Sequence, residues 1–282
     1  MNAAADSPSV VFENVSFRFS EHGEWILKDI GIRIASGEWI SIVGGNGSGK
    51  STFVKLANGL LKPTLGKVLV FGESTRHANI RDIRQSVGIV FQNPDEQTVG
   101  VTVEEDIAFG LQNLKFPRKE MLSRIDRILK RLQLEELRYR PVRTLSGGQK
   151  QLVAIAGILV MQPQVVIFDE AASMLDPRSA DKLLGVITEL HRTGLTVIQA
   201  TQDPEDLWKA DRILVLNRGR LAFAGDVPAL IKQTHILEEA GVLPPFLVRL
   251  QQALRAKGMD LPDCRGSEKE LAKSIWESIS AK

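Results

Sequence analysis

Eight residues, GGNGSGKS from Gly44 to Ser51, have types and a spacing that can hold a triphosphate. They fit G-x-x-x-x-G-K-[ST], and they stand between the strand-like run EWISIV and the helical pattern KSTFVKLANGL, which is the context this motif needs. Gly44, Gly45, Gly47 and Gly49 let successive backbone N–H groups converge on phosphate oxygens, and the helix start behind them adds its dipole. Asn46, Ser48 and Thr52 belong to the same expected binding set. Lys50 is expected to reach the β- and γ-phosphates, and the Ser51 hydroxyl to ligate Mg²⁺. A second stretch, QVVIFDEAASMLD, ends an apolar strand on two acids, Asp169 and Glu170. Adjacent carboxylates in that place are costly to bury unless they face an ion or a polar cleft. Asp169 is the expected Mg²⁺ partner of the loop, and Glu170 the residue that orients or deprotonates an attacking water. Together the two stretches imply a nucleoside triphosphate bound with magnesium.

Such residues need a sheet flanked by helices to hold them. VGIVFQ, QVVIFDE and LTVIQATQD are short, β-branched and almost continuously apolar, as strands buried on both faces read. VVFENVSFRF alternates apolar and polar residues, as does IGIRIASGEWISIVG either side of a turn at Ser36–Gly37, so strands with one buried face are predicted. EMLSRIDRILKRLQL sets Leu122, Ile125, Ile128, Leu129 and Leu132 on one helical side. A capping box, Thr102 with Glu105, opens the helix of VTVEEDIAFGL. DRILVLNRGRLAFAG is predicted to be a hairpin turning at Asn217–Gly219. From about Pro228 the pattern is mostly helical, punctuated by LPPF and LPDC, and it has the character of an appended region.

The 282 residues suffice for one large domain or a domain with an appendage. A hydrophobic share of 43% and a charged share of 25% are ordinary for a globular chain, and a net charge of +2 gives no electrostatic case for nucleic acid. The single cysteine, Cys264, excludes an internal disulfide and a cysteine-built zinc site, and it fits a reducing compartment. His22, His77, His191 and His235 are scattered without ligand spacing. The first ten residues carry neither a basic nor an apolar signal region. The longest apolar run, LVAIAGILVM, is too short for a bilayer, which needs about 20 residues, so it is predicted to be a buried helix.

TLSGGQKQ, Thr144 to Gln151, supplies the discriminating pattern. With the phosphate loop, the Gln92 that ends VGIVFQ, and FDEAASMLD, it resembles the ATP-binding-cassette ATPases over about residues 10–225. The resemblance implies an α/β fold: a P-loop NTPase (RecA-like) core, an N-terminal antiparallel β subdomain, a helical signature subdomain over about 93–155, and a small C-terminal helical extension over 226–282 after a flexible tail at 1–9. It also implies ATP and Mg²⁺ as cofactors and a head-to-tail pair of cassettes. In such a pair Ser146, Gly147, Gly148 and Gln149 face the ATP of the partner chain, and Asp176 lies in the loop joining the two sites. Gln92 then senses the metal and the attacking water. Phe19 falls where the family stacks an aromatic ring on adenine, with a core phenylalanine as the alternative.

A narrower resemblance follows from VGIVFQNPDEQTVGVTVEEDIAFGLQNL, LVAIAGILVMQP and SMLDP. These are similar to the ATPase subunits of energy-coupling-factor transporters, importers of vitamins and metal ions. The resemblance implies a peripheral place on the cytoplasmic face of the membrane. The implied partners are a second ATPase subunit, a transmembrane coupling protein and a substrate-binding membrane protein. The helical segment after Gln92 then forms the groove for the coupling helices. The tail with PPFLVRLQQALRAKGMDLP resembles an extension that helps hold two cassettes together, with a solvated helix pair as the other reading.

Three positions depart from the family pattern. Gln202, in TQD, replaces the switch histidine; Ala171 stands where proline is usual, and Leu152 where arginine is usual. Glutamine can donate an N–H to a phosphate oxygen but carries neither a proton nor a charge. One expectation is an asymmetric pair, in which this chain hydrolyses ATP slowly in its own site and lends its signature to a second cassette. The other is that Gln202 substitutes adequately in a homodimer. Outside this class, a conventional importer or exporter ATPase and a cassette acting on DNA or the ribosome remain as alternatives. The basic run SRIDRILKRLQLEELRYRPVR is interrupted by Asp126, Glu135 and Glu136, so a solvated helix face and no nucleic-acid partner are expected.

Overall fold

The computed structural model describes residues 8–259, 261–262 and 266–280. Cys264 and residues 1–7 of the expected tail lie outside them. The strand expected from Val10 starts earlier: β1 (Pro8–Phe17) includes two residues assigned to that tail, and Ser9 is fully buried with its hydroxyl donating to the Ile34 carbonyl at 3.2 Å. β1 pairs antiparallel with β2 (Leu27–Ala35) and with β4 (Leu65–Val70), and a short β5 (Glu73–Ser74) closes a sheet of order β2-β1-β4-β5.

The second sheet has the order β10-β9-β3-β8-β7-β6. Its strands are β3 (Trp39–Val43), β6 (Val87–Val90), β7 (Val165–Asp169), β8 (Thr196–Thr201), β9 (Arg212–Asn217) and β10 (Arg220–Gly225). β9, β3, β8, β7 and β6 run parallel, and β10 returns from β9 as the predicted hairpin. The two turn residues, Arg218 and Gly219, have φ of 48° and 78°, the left-handed pair that a tight hairpin turn requires. The predicted alternation of buried and exposed residues fails in two strands: in β1, Val10, Val11 and Phe12 are buried in succession, because the strand is paired on both edges in the middle of its sheet and covered on more than one face. β3 buries all five residues rather than one face, because it lies between β8 and β9 inside the parallel sheet while β2 belongs to the other sheet.

Helices cover both faces. α1 (Lys50–Ala57) follows β3, and α2 (Ile80–Ser86) precedes β6. Between β6 and β7 stand α3 (Val103–Asn113), α4 (Arg118–Leu132) and α5 (Gly147–Leu159); α6 (Pro177–Arg192) joins β7 to β8. The capping box at Thr102 is formed in both directions. A cap of this kind is worth about 1 kcal/mol and fixes where α3 begins. α4 buries Ile125, Ile128, Leu129 and Leu132, but Leu122 is exposed, near the helix start beside Phe116 and Met121 in a surface cleft. α5 is buried along most of its length, as its apolar run requires. One core joins α3, α4 and α5 to Val166, Phe168, Leu183 and Ile187, so the helical part is packed onto the sheet.

The C-terminal region is built in two parts. α7 (Val227–Ile231) and α8 (His235–Glu239) pack Leu230, Leu237 and Val242 on Val43, Ile213 and Val215 of the parallel sheet. α9 (Phe246–Ala256) and α10 (Glu268–Ser280) form a separate small core of Leu247, Val248, Leu261 and Leu271. Among the described residues no helix is long and apolar enough to cross a membrane.

Candidate active site

The site gathers at the C-terminal ends of β3, β7 and β8. This is where an open parallel sheet offers its loops to ligands. β3 runs into Gly44, whose Cβ, if present, would lie 2.3 Å from the Leu216 carbonyl oxygen, so no larger residue fits that turn. Gly49 has φ of 105° and caps α1 without a side chain. The first N–H groups of α1 are thus left for an anion. Ser48 Oγ is buried and has no protein partner. Lys50 is 5% exposed; its Nζ donates to the carbonyls of Gly44 at 2.7 Å and Gly45 at 3.3 Å and lies 3.3 Å from Glu170 Oε1. A buried ammonium, a backbone cradle and an orphaned hydroxyl together form a site fitted to a triphosphate.

The acids meet the loop from β7. Ser51 Oγ donates to Asp169 Oδ1 at 3.1 Å. Burial raises the Asp169 carboxyl above its ordinary range, while the Ser51 hydrogen bond opposes that rise. A buried carboxylate beside a hydroxyl is a donor set for Mg²⁺, which takes one or two protein oxygens and completes its shell with phosphates and water. Glu170 has φ of 52°, strained for a side chain with a Cβ. Its N–H donates to the Ala200 carbonyl at 2.9 Å, and its carbonyl accepts from Ser173 Oγ at 2.8 Å, which hold that conformation. Gln92 Nε2 donates to the same Ser173 Oγ at 3.1 Å, leaving the Gln92 carbonyl oxygen as the atom suited to a cation or a water. Ser173 thus links Gln92 to Glu170, a role that no sequence pattern indicates.

Gln202, just past β8, reaches both sides of the site: its Nε2 donates to Glu170 Oε1 at 2.7 Å and to Asn46 Oδ1 at 2.9 Å. Behind it Asp206 is 4% exposed and accepts from Gln199 and Thr201, each at 2.9 Å. Burial pushes its carboxyl up to about 6. Asp206 was also silent in the sequence, where it is one acid of PED.

The signature residues form a second group. Ser146 and Gln149 close a reciprocal capping box at the start of α5. A Cβ on Gly148 would lie 2.5 Å from Ser179 Oγ, and Asp176 holds that hydroxyl at 2.6 Å and the Ser179 N–H at 3.1 Å. These bonds keep the Asp176 carboxyl below its usual range. Among the described residues no hydrogen bond joins this group to the phosphate loop. Phe19 is 71% exposed and touches Phe17 edge-on at 4.9 Å, which rules out the core alternative for it.

The ABC transporter family matches residues 27–173, and the energy-coupling factor transporter EcfA1 C-terminal domain matches residues 245–282. The chain is 41% identical to the energy-coupling factor transporter ATP-binding protein EcfA1 of Halalkalibacterium halodurans, over 96% of this chain and 98% of that one. It belongs to the ATP-binding proteins of energy-coupling factor transporters. The solved structure of cbiO1 from Clostridium perfringens, described as part of the ABC transporter complex cbiONQ, superposes with a TM-score of 0.76 at 35% identity, covering 88% of this chain and all of that one. The cassette MJ0796, solved as a dimer in a post-hydrolysis state with ADP and Pi, superposes with a TM-score of 0.69 at 28% identity over 77% of this chain and 98% of its own. The two apolar residues expected to depart from the family pattern are packed ones. Leu152 and Ala171 are 5% and 4% exposed, and both lie in the core shared by helices and sheet.

Proposed function

We propose that this chain is the ATP-binding and ATP-hydrolysing subunit that energises an energy-coupling-factor importer of vitamins or metal ions. The observation that carries the chemistry is that Glu170 meets both Lys50 and Gln202 while the adjacent Asp169 meets Ser51. Backbone N–H groups of Gly44–Ser51 and the Lys50 ammonium bind the β- and γ-phosphates, and Phe19 stacks on adenine. Ser51 and Asp169, with the Gln92 carbonyl oxygen, would hold Mg²⁺, and the ion would supply charge neutralisation on the phosphates. Glu170 takes the proton of the attacking water. The water oxygen bonds to the γ-phosphorus as the bridging bond breaks and its electron pair leaves with ADP.

Ser146, Gly147, Gly148 and Gln149 serve a second cassette's ATP, and Asp176 joins the two sites through Ser179. The dimeric state of the MJ0796 cassette supports this pairing. Gln202 cannot carry a proton, which supports slow hydrolysis in this chain's own site and a division of labour with a second ATPase subunit. A groove of about 570 Å³ lined by Arg81, Arg84, Val99, Phe109, Ile158 and Met161 offers the apolar and cationic surface for a transmembrane coupling protein that carries a substrate-binding membrane protein. The chain is then peripheral on the cytoplasmic face of the membrane. The nucleic-acid reading is disfavoured because three of the arginines in its basic run are paired with acids: Arg138 bonds Glu104 and Asp126, Arg124 bonds Glu120, and Arg131 lies 3.5 Å from Glu189. Affinity purification from native membranes in mild detergent, with mass spectrometry of what accompanies the chain, tests the proposal. A second cassette with multispanning proteins is the expected result; the chain alone would overturn the transport assignment.

A further inference from the structure

Gln202 is one of the three positions expected to depart from the family pattern, and its neighbours determine how its carboxamide is turned. A carboxylate only accepts hydrogen bonds, so the atom 2.7 Å from Glu170 Oε1 must be the nitrogen of Gln202. Asn46 must then present its own oxygen to that nitrogen, at 2.9 Å. Both N–H hydrogens of Gln202 are thereby used, and what it keeps is an acceptor, its carbonyl oxygen. An acceptor repels phosphate oxygens but takes a hydrogen bond from water. Glu170 is likewise half engaged. Its Oε1 faces Gln202 and Lys50, while its Oε2 has no protein partner among the described residues. Each of the two hydrogen-bonded residues thus keeps one acceptor, and two acceptors match the two protons of one water.

We propose that Asn46 is a positioning residue for hydrolysis. It clamps the Gln202 amide so that the Gln202 carbonyl and the free Glu170 oxygen hold the attacking water between them. One water proton passes to Glu170 Oε2, and the other stays on the departing phosphate after being held by Gln202 during attack. Gln202 thus does the orienting half of the work of a switch residue without the proton-carrying half. The inference rests on the reading of Glu170 as the base. Asn46 acts here through its side chain, which a phosphate loop bound only by backbone N–H groups does not need.

The test is a double-mutant cycle on the full chain, reading kcat and KM for ATP in Asn46→Ala, Gln202→Ala and the double variant, with Glu170→Gln beside them. Misplacing a reacting water is expected to lower kcat about tenfold in Asn46→Ala with KM changed by less than about twofold. In the Gln202→Ala background Asn46→Ala should cost nothing further, because the residue it positions is gone. A raised KM with unchanged kcat would make Asn46 a phosphate contact and overturn the inference. An equal loss of kcat in both backgrounds would overturn it as well. Hydrolysis retained by Glu170→Gln would overturn the base reading itself, whatever the cycle gives.

Discussion

The N–H of Gly45 donates to the carbonyl of Ala240 at 2.7 Å, so a main-chain hydrogen bond joins the phosphate loop to the end of α8. A second tie lies nearby. The Phe246 N–H, at the start of α9, donates to Glu205 Oε1 at 2.6 Å, three residues past Gln202. The stretch from Ala240 to Phe246 is therefore tied to the phosphate loop at one end and to the turn after Gln202 at the other. A Cβ at Gly45 would lie 2.9 Å from the Ala240 oxygen. Gly45→Ala is expected to push the two apart and lower stability by about 1 kcal/mol, a fall in Tm of about 2–4 °C for a chain of this size. Calorimetry without nucleotide checks it, and an unchanged Tm would mean the bond contributes nothing.

Restoring a proton carrier at the switch should alter the rate and its pH dependence together. Gln202→His is expected to raise kcat several-fold. It should also add a limb near pH 6.5, the ordinary imidazole range, that the native profile lacks. A pH–rate series on both proteins decides this. A variant no faster than the native chain would count against slow hydrolysis in this site.

Asp206 makes stability depend on pH in a defined window. Its folded carboxyl is raised from 3.8 to about 6 by burial, with the Thr201 hydrogen bond opposing the rise. Between those values the unfolded chain has lost the proton that the folded chain keeps, so stability falls as pH rises through the window and levels off above it. The loss is about 3 kcal/mol at most, from a shift of about two units. Denaturant titrations from pH 4 to 7 should show this fall in the native chain and not in Asp206→Asn. Equal slopes in the two would remove Asp206 as its source.

Gly148 separates own-site from partner-site effects. A side chain there meets Ser179, which Asp176 holds, so Gly148→Ala is expected to displace the start of α5 from α6. ATP binding by the isolated chain should stay within about twofold, whereas hydrolysis by the assembled pair should drop about tenfold or more. Loss of binding in the isolated chain would place the signature in the wrong site.

Local features were legible in the sequence because short-range geometry encodes them. The phosphate loop, the cap at Thr102 and the Arg218–Gly219 turn each depend on residues a few positions apart. What the tertiary structure alone decided is which distant residues meet. Gln202 and Asn46 are 156 positions apart and Gln92 and Ser173 81, whereas the meeting of Ser51 with Asp169, 118 positions on, is already implied by the two motifs. Their meeting depends on the strand order β3-β8-β7-β6, and buried parallel strands all present the same apolar run, so the pattern does not order them. For the same reason the burial of both faces of β3, the exposure of Leu122 and Phe19, and the raised carboxyl of Asp206 became visible only after packing. Sequence determined the chemistry available to this chain. Packing determined that Gln202 would spend its amide on Glu170 and Asn46, because only the folded sheet brings one donor nitrogen to both oxygens.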